Sequence, residues 1–206
     1  MLKIWGRVNS VNVKKVLWAA EELGLQYQRI DAGMEHGVTK TPEYRKMNPN
    51  SLVPTIEDEG FVLWESHAIV RYLAAKHGGG TLWPADLRQR ADSDRWMDWA
   101  LTFAREFQRP LFWALVRTPE AERDPKAIEA AKKKCAGLLA IPDQGLANRP
   151  FFAGNALTIG DIPLGCHVQL WMRLPIERAP LPNLKRWFER LCTRAAFKKI
   201  VDIPLS

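Results

Sequence analysis

Apolar and polar positions change their period along the chain, and the change divides it in two. The first 77 residues alternate short β-like runs with helical segments, whereas the remainder shows almost only helical periodicity. Lys3-Ile4-Trp5 reads as a strand. Val13, Val16, Leu17, Ala20 and Leu23 then fall on one face of a helix that stops at Gly24. Residues 27–31 return to a strand pattern. Thr41-Pro42 supplies an N-cap and a proline at the first helical position of a short helix ending near Asn48-Pro49. Thr55-Ile56-Glu57 and Phe61-Val62-Leu63-Trp64 flank Asp58-Glu59-Gly60, a hairpin turn in which glycine tolerates a positive φ. A last helix spans 66–77. The order β-α-β-α-β-β-α predicts a thioredoxin-like unit over 1–77.

Gly78-Gly79-Gly80-Thr81-Leu82-Trp83-Pro84 combines helix-stopping glycines with a proline and reads as a short connector over 78–86. Beyond it, 88–115 and 126–139 are long amphipathic stretches. Helices near 161–172 and 184–191 close an antiparallel bundle, so 87–206 is expected to be all-helical. Around Thr158-Ile159-Gly160-Asp161-Ile162, Thr158 is placed to cap a helix, Asp161 to reach back from the N3 position, and Leu157 to staple onto Ile162. That constellation is structural rather than catalytic. The fold class is therefore α/β plus all-α.

Composition narrows the function. At 206 residues, with 47% apolar and 26% charged positions, the chain can bury a substantial core and lacks both the polarity of a disordered chain and membrane-spanning runs. Met1-Leu2-Lys3-Ile4-Trp5-Gly6 enters a strand at once, without the features of a signal peptide, which predicts a cytoplasmic protein with no membrane partner. Cys135, Cys166 and Cys192 are widely spaced and form no C-x-x-C pair, so neither a disulfide framework nor a metal site is indicated. A formal charge of +7 raises the question of nucleic acid. The basic residues are diffuse, however, and Lys132-Lys133-Lys134 and Lys198-Lys199 sit in helical patterns without a nucleic-acid signature. No nucleic-acid partner is expected; an anionic small ligand fits the surplus equally well.

Two segments carry candidate chemistry. Asn50-Ser51-Leu52-Val53-Pro54-Thr55 puts a proline at a strand start, straight after a loop. Such a proline donates nothing to the ladder, and a cis bond before it turns the Val53 N–H and C=O outward, free to pair with another extended backbone. A simple loop proline gives the same string. In Trp64-Glu65-Ser66-His67-Ala68-Ile69-Val70-Arg71-Tyr72-Leu73, a carboxylate and a hydroxyl stand where a strand enters a helix. The helix N-terminus and Ser66 suit a carboxylate ligand, and Glu65 suits an ammonium group. Ser66 suits plain N-capping as well.

Asn48-Pro49 followed by Val53-Pro54-Thr55, and then Glu65-Ser66, Ala68-Ile69 and Tyr72-Leu73 in their spacing, resembles the glutathione S-transferase family. The Thr158 to Ile162 segment is similar to the capping box and staple of that family's helical domain, so the resemblance covers both halves. It implies that Val53, ahead of Pro54, pairs its backbone with the cysteinyl part of glutathione. It implies also that Glu65 and Ser66 hold the γ-glutamyl ammonium and carboxylate.

Such a transferase must stabilise the glutathione thiolate, because a free thiol of pKa about 8.5 is only a few per cent ionised at neutral pH and the thiolate is what attacks. Ser10 and Asn12, in the turn before the first helix, are the candidate donors to that sulfur. Ser10 matches the serine of theta-like members, and Asn12 is similar to the asparagine of nu-like bacterial enzymes. Val11-Asn12 replaces the proline that often follows the family's serine, so the choice stays open, and either side chain can instead cap the helix. His36 and Lys40 are candidates for the glycine carboxylate, while Leu52 stands where other members carry lysine or glutamine. Trp99, Phe103, Phe107, Phe112 and Trp113 are available for an electrophile pocket, most of them as core. The resemblance thus implies a glutathione transferase with glutathione as cosubstrate, an apolar electrophile, no metal, and a homodimeric assembly. A glutathione-binding or regulatory protein without significant turnover is the alternative.

Overall fold

The structure, a computed structural model, describes residues 1–206. β1 (Leu2–Trp5), α1 (Val11–Glu22), β2 (Tyr27–Ile30), α2 (Pro42–Met47), β3 (Thr55–Asp58), β4 (Phe61–Trp64) and α3 (Ser66–His77) follow in the predicted order. A 3-10 turn, Met34–His36, lies between β2 and α2. The sheet order is β2-β1-β3-β4, with β1 parallel to β2 and antiparallel to β3, and β3 antiparallel to β4: a thioredoxin-like arrangement. Ile4 and Ile56, directly paired across β1 and β3, are both fully buried and anchor the sheet to its helices. The hairpin turn uses Glu59 and Gly60, at φ 53° and 85°, a positive-φ pair whose turn matches the right-handed twist of the flanking strands.

The second half comprises α4 (Leu87–Phe107), a π-helical turn (Gln108–Trp113), α5 (Ala114–Val116), a 3-10 turn (Glu120–Glu122), α6 (Pro125–Gly145), α7 (Asp161–Arg173), α8 (Pro182–Cys192) and α9 (Ala195–Ile200). The stretch expected as one helix over 88–115 is therefore interrupted. Pro110 has no N–H to offer the Glu106 carbonyl, and the backbone widens there. The carbonyl so released accepts from the Cys135 thiol at 3.5 Å. Asp161 reaches back to the Thr158 N–H at 2.9 Å, but the helix begins at Asp161 itself, and the Thr158 hydroxyl donates to that carboxylate instead of capping the backbone. No helix is long and apolar enough to cross a membrane.

One cluster of 43 buried apolar residues runs through both halves, from Ile4, Leu17 and Ile69 to Phe103, Leu164 and Trp187, so the two are packed as one core. α1 lies at its centre, against α3 on one side and α7 and α9 on the other. Trp18 meets Phe197 edge-on at 4.9 Å, and Glu22 holds Arg194 through two bonds of 2.7 and 2.6 Å. Gly165 lets α7 approach: a Cβ there would lie 2.7 Å from Trp18 Cζ3. Gly165→Ala is expected to cost about 1–3 kcal/mol by forcing the fully buried Trp18 from its rotamer. Urea unfolding followed by tryptophan fluorescence measures that loss.

Candidate active site

α1 opens directly behind β1, and Ser10 is its N-cap residue, at φ −82° and ψ 121°. A serine in this position ordinarily accepts from the first free N–H groups of the helix. Here the side chain makes no capping bond, although the residue is only 7% exposed. It lines a cleft of about 940 Å³ between the sheet domain and α4.

Asn12 lines the same cleft, and its amide is held from behind. Lys15, one turn further on and buried, brings Nζ to 2.9 Å from Asn12 Oδ1 and 3.1 Å from His67 Nε2. An ammonium only donates, so both partners accept. The Asn12 oxygen accordingly turns inward, and its Nδ2 is left to donate toward the cleft. Burial pushes Lys15 down to about 8, opposed by Cys166 and Glu65. Burial, with Lys15 and Arg71 adding, pushes His67 down to about 2, which keeps the imidazole neutral and able to accept from Lys15.

The facing wall is the loop into β3. Tyr44 Oη and Asn48 Nδ2 both donate to the Leu52 carbonyl, at 2.7 and 3.0 Å, and fix this loop. The Val53-Pro54 peptide bond is cis, Val53 lines the cleft, and its N–H and C=O join no backbone hydrogen bond. Thr55 pairs with Trp64 in the β3–β4 register, which sets Glu65 beside Pro54 one position on. Glu65 stands at φ 73°, a left-handed conformation that costs a non-glycine residue about 1–2 kcal/mol. Its side chain caps nothing, and Ser66 follows as the first residue of α3, 6% exposed.

Lys40 joins the lining with Gly37 and Thr39. His36 does not join it. Its exposed imidazole lies beside the carboxylates of its own segment, with Nε2 3.5 Å from Glu35 Oε1 and 3.7 Å from Asp31 Oδ1. Of the five aromatic residues offered for an electrophile pocket, Phe103, Phe107 and Phe112 are buried in the core. Trp99 lines a separate recess with Trp96, and Trp113 alone reaches the cleft.

Arg7, Leu101, Arg105, Gln108 and Arg109 also line the cleft and were not anticipated. The last four recur three or four residues apart along α4 and its π-helical extension, a spacing that could have revealed a shared face. Arg7 is a single basic residue in a loop, with no pattern around it. No aspartate or glutamate lines this cleft, and the predicted Pro54, Glu65 and Ser66 stand next to its Val53 wall without joining the lining.

Comparisons with known proteins agree with this geometry. Residues 1–75 match the family model of the glutathione S-transferase N-terminal domain, and residues 97–195 that of the C-terminal domain. Glutathione S-transferase GstB of Escherichia coli (strain K12) is 43% identical over 208 residues, covering 100% of each chain. The theta class glutathione S-transferase of the citrus canker pathogen Xanthomonas axonopodis pv. citri, with glutathione bound, superposes with a TM-score of 0.95 at 50% identity, over 100% of this chain and 99% of that one. A delta-class glutathione transferase of Nilaparvata lugens gives a TM-score of 0.86 at 27% identity, over 97% and 92% of the two chains. With an outward-turned Val53, a Glu65-Ser66 pair at the head of α3 and full-length relatives of this kind, the chain belongs to the glutathione S-transferase family.

Proposed function

We propose that this transferase ionises the thiol of bound glutathione by hydrogen bonds from Ser10 Oγ and Asn12 Nδ2, and directs the thiolate at an electrophile in the cleft. The observation that carries the reading is that both donors line the cleft with no partner of their own: Ser10 makes no cap, and Lys15 has taken the oxygen end of Asn12. Hydrogen bonds to the charged form of a group lower its pKa, and the N-terminal end of α1 adds a positive potential at the same place. The backbone of Val53 receives the cysteinyl amide, Glu65 and Ser66 the γ-glutamyl end, and Lys40 the glycine carboxylate. An apolar part of the electrophile rests on Leu101 and Trp113.

The chain's own thiols do not compete for this role. Burial pushes Cys135 and Cys166 up to about 12, where they stay protonated, so the attacking sulfur belongs to the cosubstrate. The same reading makes the protein a cytoplasmic homodimer. Phe61, half exposed at the start of the edge strand β4, is a residue that such an interface would cover.

Thiolate absorbance of the glutathione complex, followed against pH, tests the proposal. The bound thiol is expected to ionise well below the free value of about 8.5. Binding with an unshifted thiol would make the protein a glutathione-binding module without transferase chemistry, and absence of binding would remove the proposal altogether.

A further inference from the structure

The cleft holds more positive charge than glutathione can use. Arg7, Lys40, Arg105 and Arg109 line it without a single carboxylate among them. Arg105 is 87% exposed at the rim and lies 4.0 Å from Glu106, so it is partly answered by the chain. Arg7 and Arg109 enter no ion pair within 4.0 Å, whereas eleven other arginines and lysines of the chain find a carboxylate within 3.0 Å.

Two guanidiniums, those of Arg109 and Arg117, lie against the Trp113 ring. Arg109 sits 5.1 Å from the indole centroid, and Arg117 lies 5.0 Å from the same ring while giving one N–H to the Ser206 backbone oxygen at 3.0 Å. The buried Trp113 Nε1 has no hydrogen-bond partner, although an indole N–H out of water ordinarily finds one. Arg7 is half-buried beside Gly33 and Val53, at the cysteinyl end of the glutathione site. Burial pulls down the pKa of Arg7 and of Arg117, and Arg7 adds to the effect on Arg117, so each lies within reach of the other's charge. Glu35 is the acidic group that acts on both, but its own side chain is 59% exposed and stands against His36 at 3.5 Å.

Glutathione brings two carboxylates and one ammonium. On the reading above, the carboxylates go to Ser66 and Lys40, which leaves Arg7, Arg109 and the Trp113 N–H unused beside the sulfur. We infer that the electrophile carries a carboxylate, held by Arg7 and Arg109 with the Trp113 N–H, while its apolar body lies on Leu101 and the Trp113 ring. This rests on the transferase reading and adds the charge of the second substrate to it. In the reaction the thiolate sulfur forms a bond to the electrophilic carbon, and the leaving group departs with its electron pair. A planar, bidentate guanidinium suits a carboxylate where a neutral carbonyl would leave the charge unpaired.

A chlorodinitrobenzoate and the matching chlorodinitrobenzamide, equal in shape and unequal in charge, provide the test. In each, the sulfur attacks the ring carbon that bears chlorine and chloride leaves. The full-length protein is expected to show kcat/KM about ten- to a hundredfold higher for the acid, the worth of one or two hydrogen bonds to a charged group. Arg109→Gln and Arg7→Gln are expected to shrink that ratio toward one. Equal kcat/KM for the two compounds would overturn the inference, as would a rise in the glutathione KM, in place of a change in the ratio, in both arginine variants. Tryptophan quenching by the unreactive dinitrobenzoate and dinitrobenzamide separates this from the transferase reading. Tighter binding of the acid without turnover of either chloride would leave the anion site standing and remove the transferase, whereas turnover of both without preference would do the reverse.

Discussion

Asp161→Ala is expected to lower the unfolding free energy by about 4 kcal/mol, from the summed cost of stranding several buried donors. The carboxylate is fully buried and accepts four hydrogen bonds: from the Phe152 N–H at 3.1 Å, the Thr158 N–H at 2.9 Å, the Thr158 hydroxyl at 3.2 Å and the Trp187 indole at 2.9 Å. It joins the segment before α7 to α8, and Ser93 of α4 reaches the same segment by donating to Thr158 at 2.8 Å and accepting from the Gly160 N–H at 3.0 Å. Alanine satisfies none of these donors, and Asp161 is fully buried, so each donor is left unpaired away from solvent. Asp161→Asn keeps the shape and one acceptor oxygen but turns an NH₂ toward a donor, so about half the loss is expected. Urea unfolding with unchanged m-values checks both numbers.

The same residue gives a pH signature. Burial pushes the Asp161 carboxyl up to about 6, against its four donors, all of which favour the anion. In the unfolded chain it titrates near 3.9. Between about 4 and 6 the native state therefore holds a proton that the unfolded state has released. The contribution of Asp161 is full below about 4, falls as pH rises through 6, and is flat beyond. Asp161→Asn removes that slope, so the stability gap between wild type and variant should narrow from pH 4 to pH 6 and stay constant above it.

Half of the role of Asp161 was legible in the sequence: Thr158 stands three positions away and the spacing states that contact, whereas the bonds from Phe152 and Trp187 come from nine and 26 residues away and left no local mark. Local spacing also states the β3–β4 hairpin and Val53-Pro54 beside Glu65-Ser66, which short-range pairing brings together. α1 shows where such reading stops. Its apolar positions describe one face, yet Lys14 and Lys15 are buried as well, because the helix is packed on both sides by α3 and by α7 with α9. Lys14 Nζ finds the Val201 carbonyl at 3.1 Å, 187 residues away, and Lys15 finds His67. No local period distinguishes a lysine that meets an internal acceptor from one that is solvated. His36 shows the opposite limit: its sequence position placed it near the cleft, but its side chain lies beside Asp31 and Glu35 and outside the lining. The guanidinium wall joins Arg7, after β1, to Arg109, beyond α4, and becomes visible only once the two domains are together.

Ser10→Ala is expected to lower kcat/KM by about a hundredfold or more, the usual consequence of removing one preorganised donor from a developing or resident anion. Asn12→Ala is expected to give a loss of similar size, and the two together less than the product, because both act on one sulfur. Asn12→Asp separates the donor role from mere packing. Lys15 would keep its acceptor at 2.9 Å, so the loop is held as before, but the group facing the cleft becomes a second carboxylate oxygen in place of an N–H. A negative acceptor beside a thiolate repels it, and the thiol pKa should then rise above that of the Asn12→Ala complex. Thiolate absorbance against pH, read beside kcat/KM for each variant, decides the matter. If Asn12→Asp ionises the thiol as well as wild type, Asn12 only braces Lys15, and Ser10 is the sole donor. If the aspartate raises the thiol pKa beyond the alanine, the Lys15-fixed amide is a donor to the sulfur, and the buried ammonium behind it acts as its positioning residue.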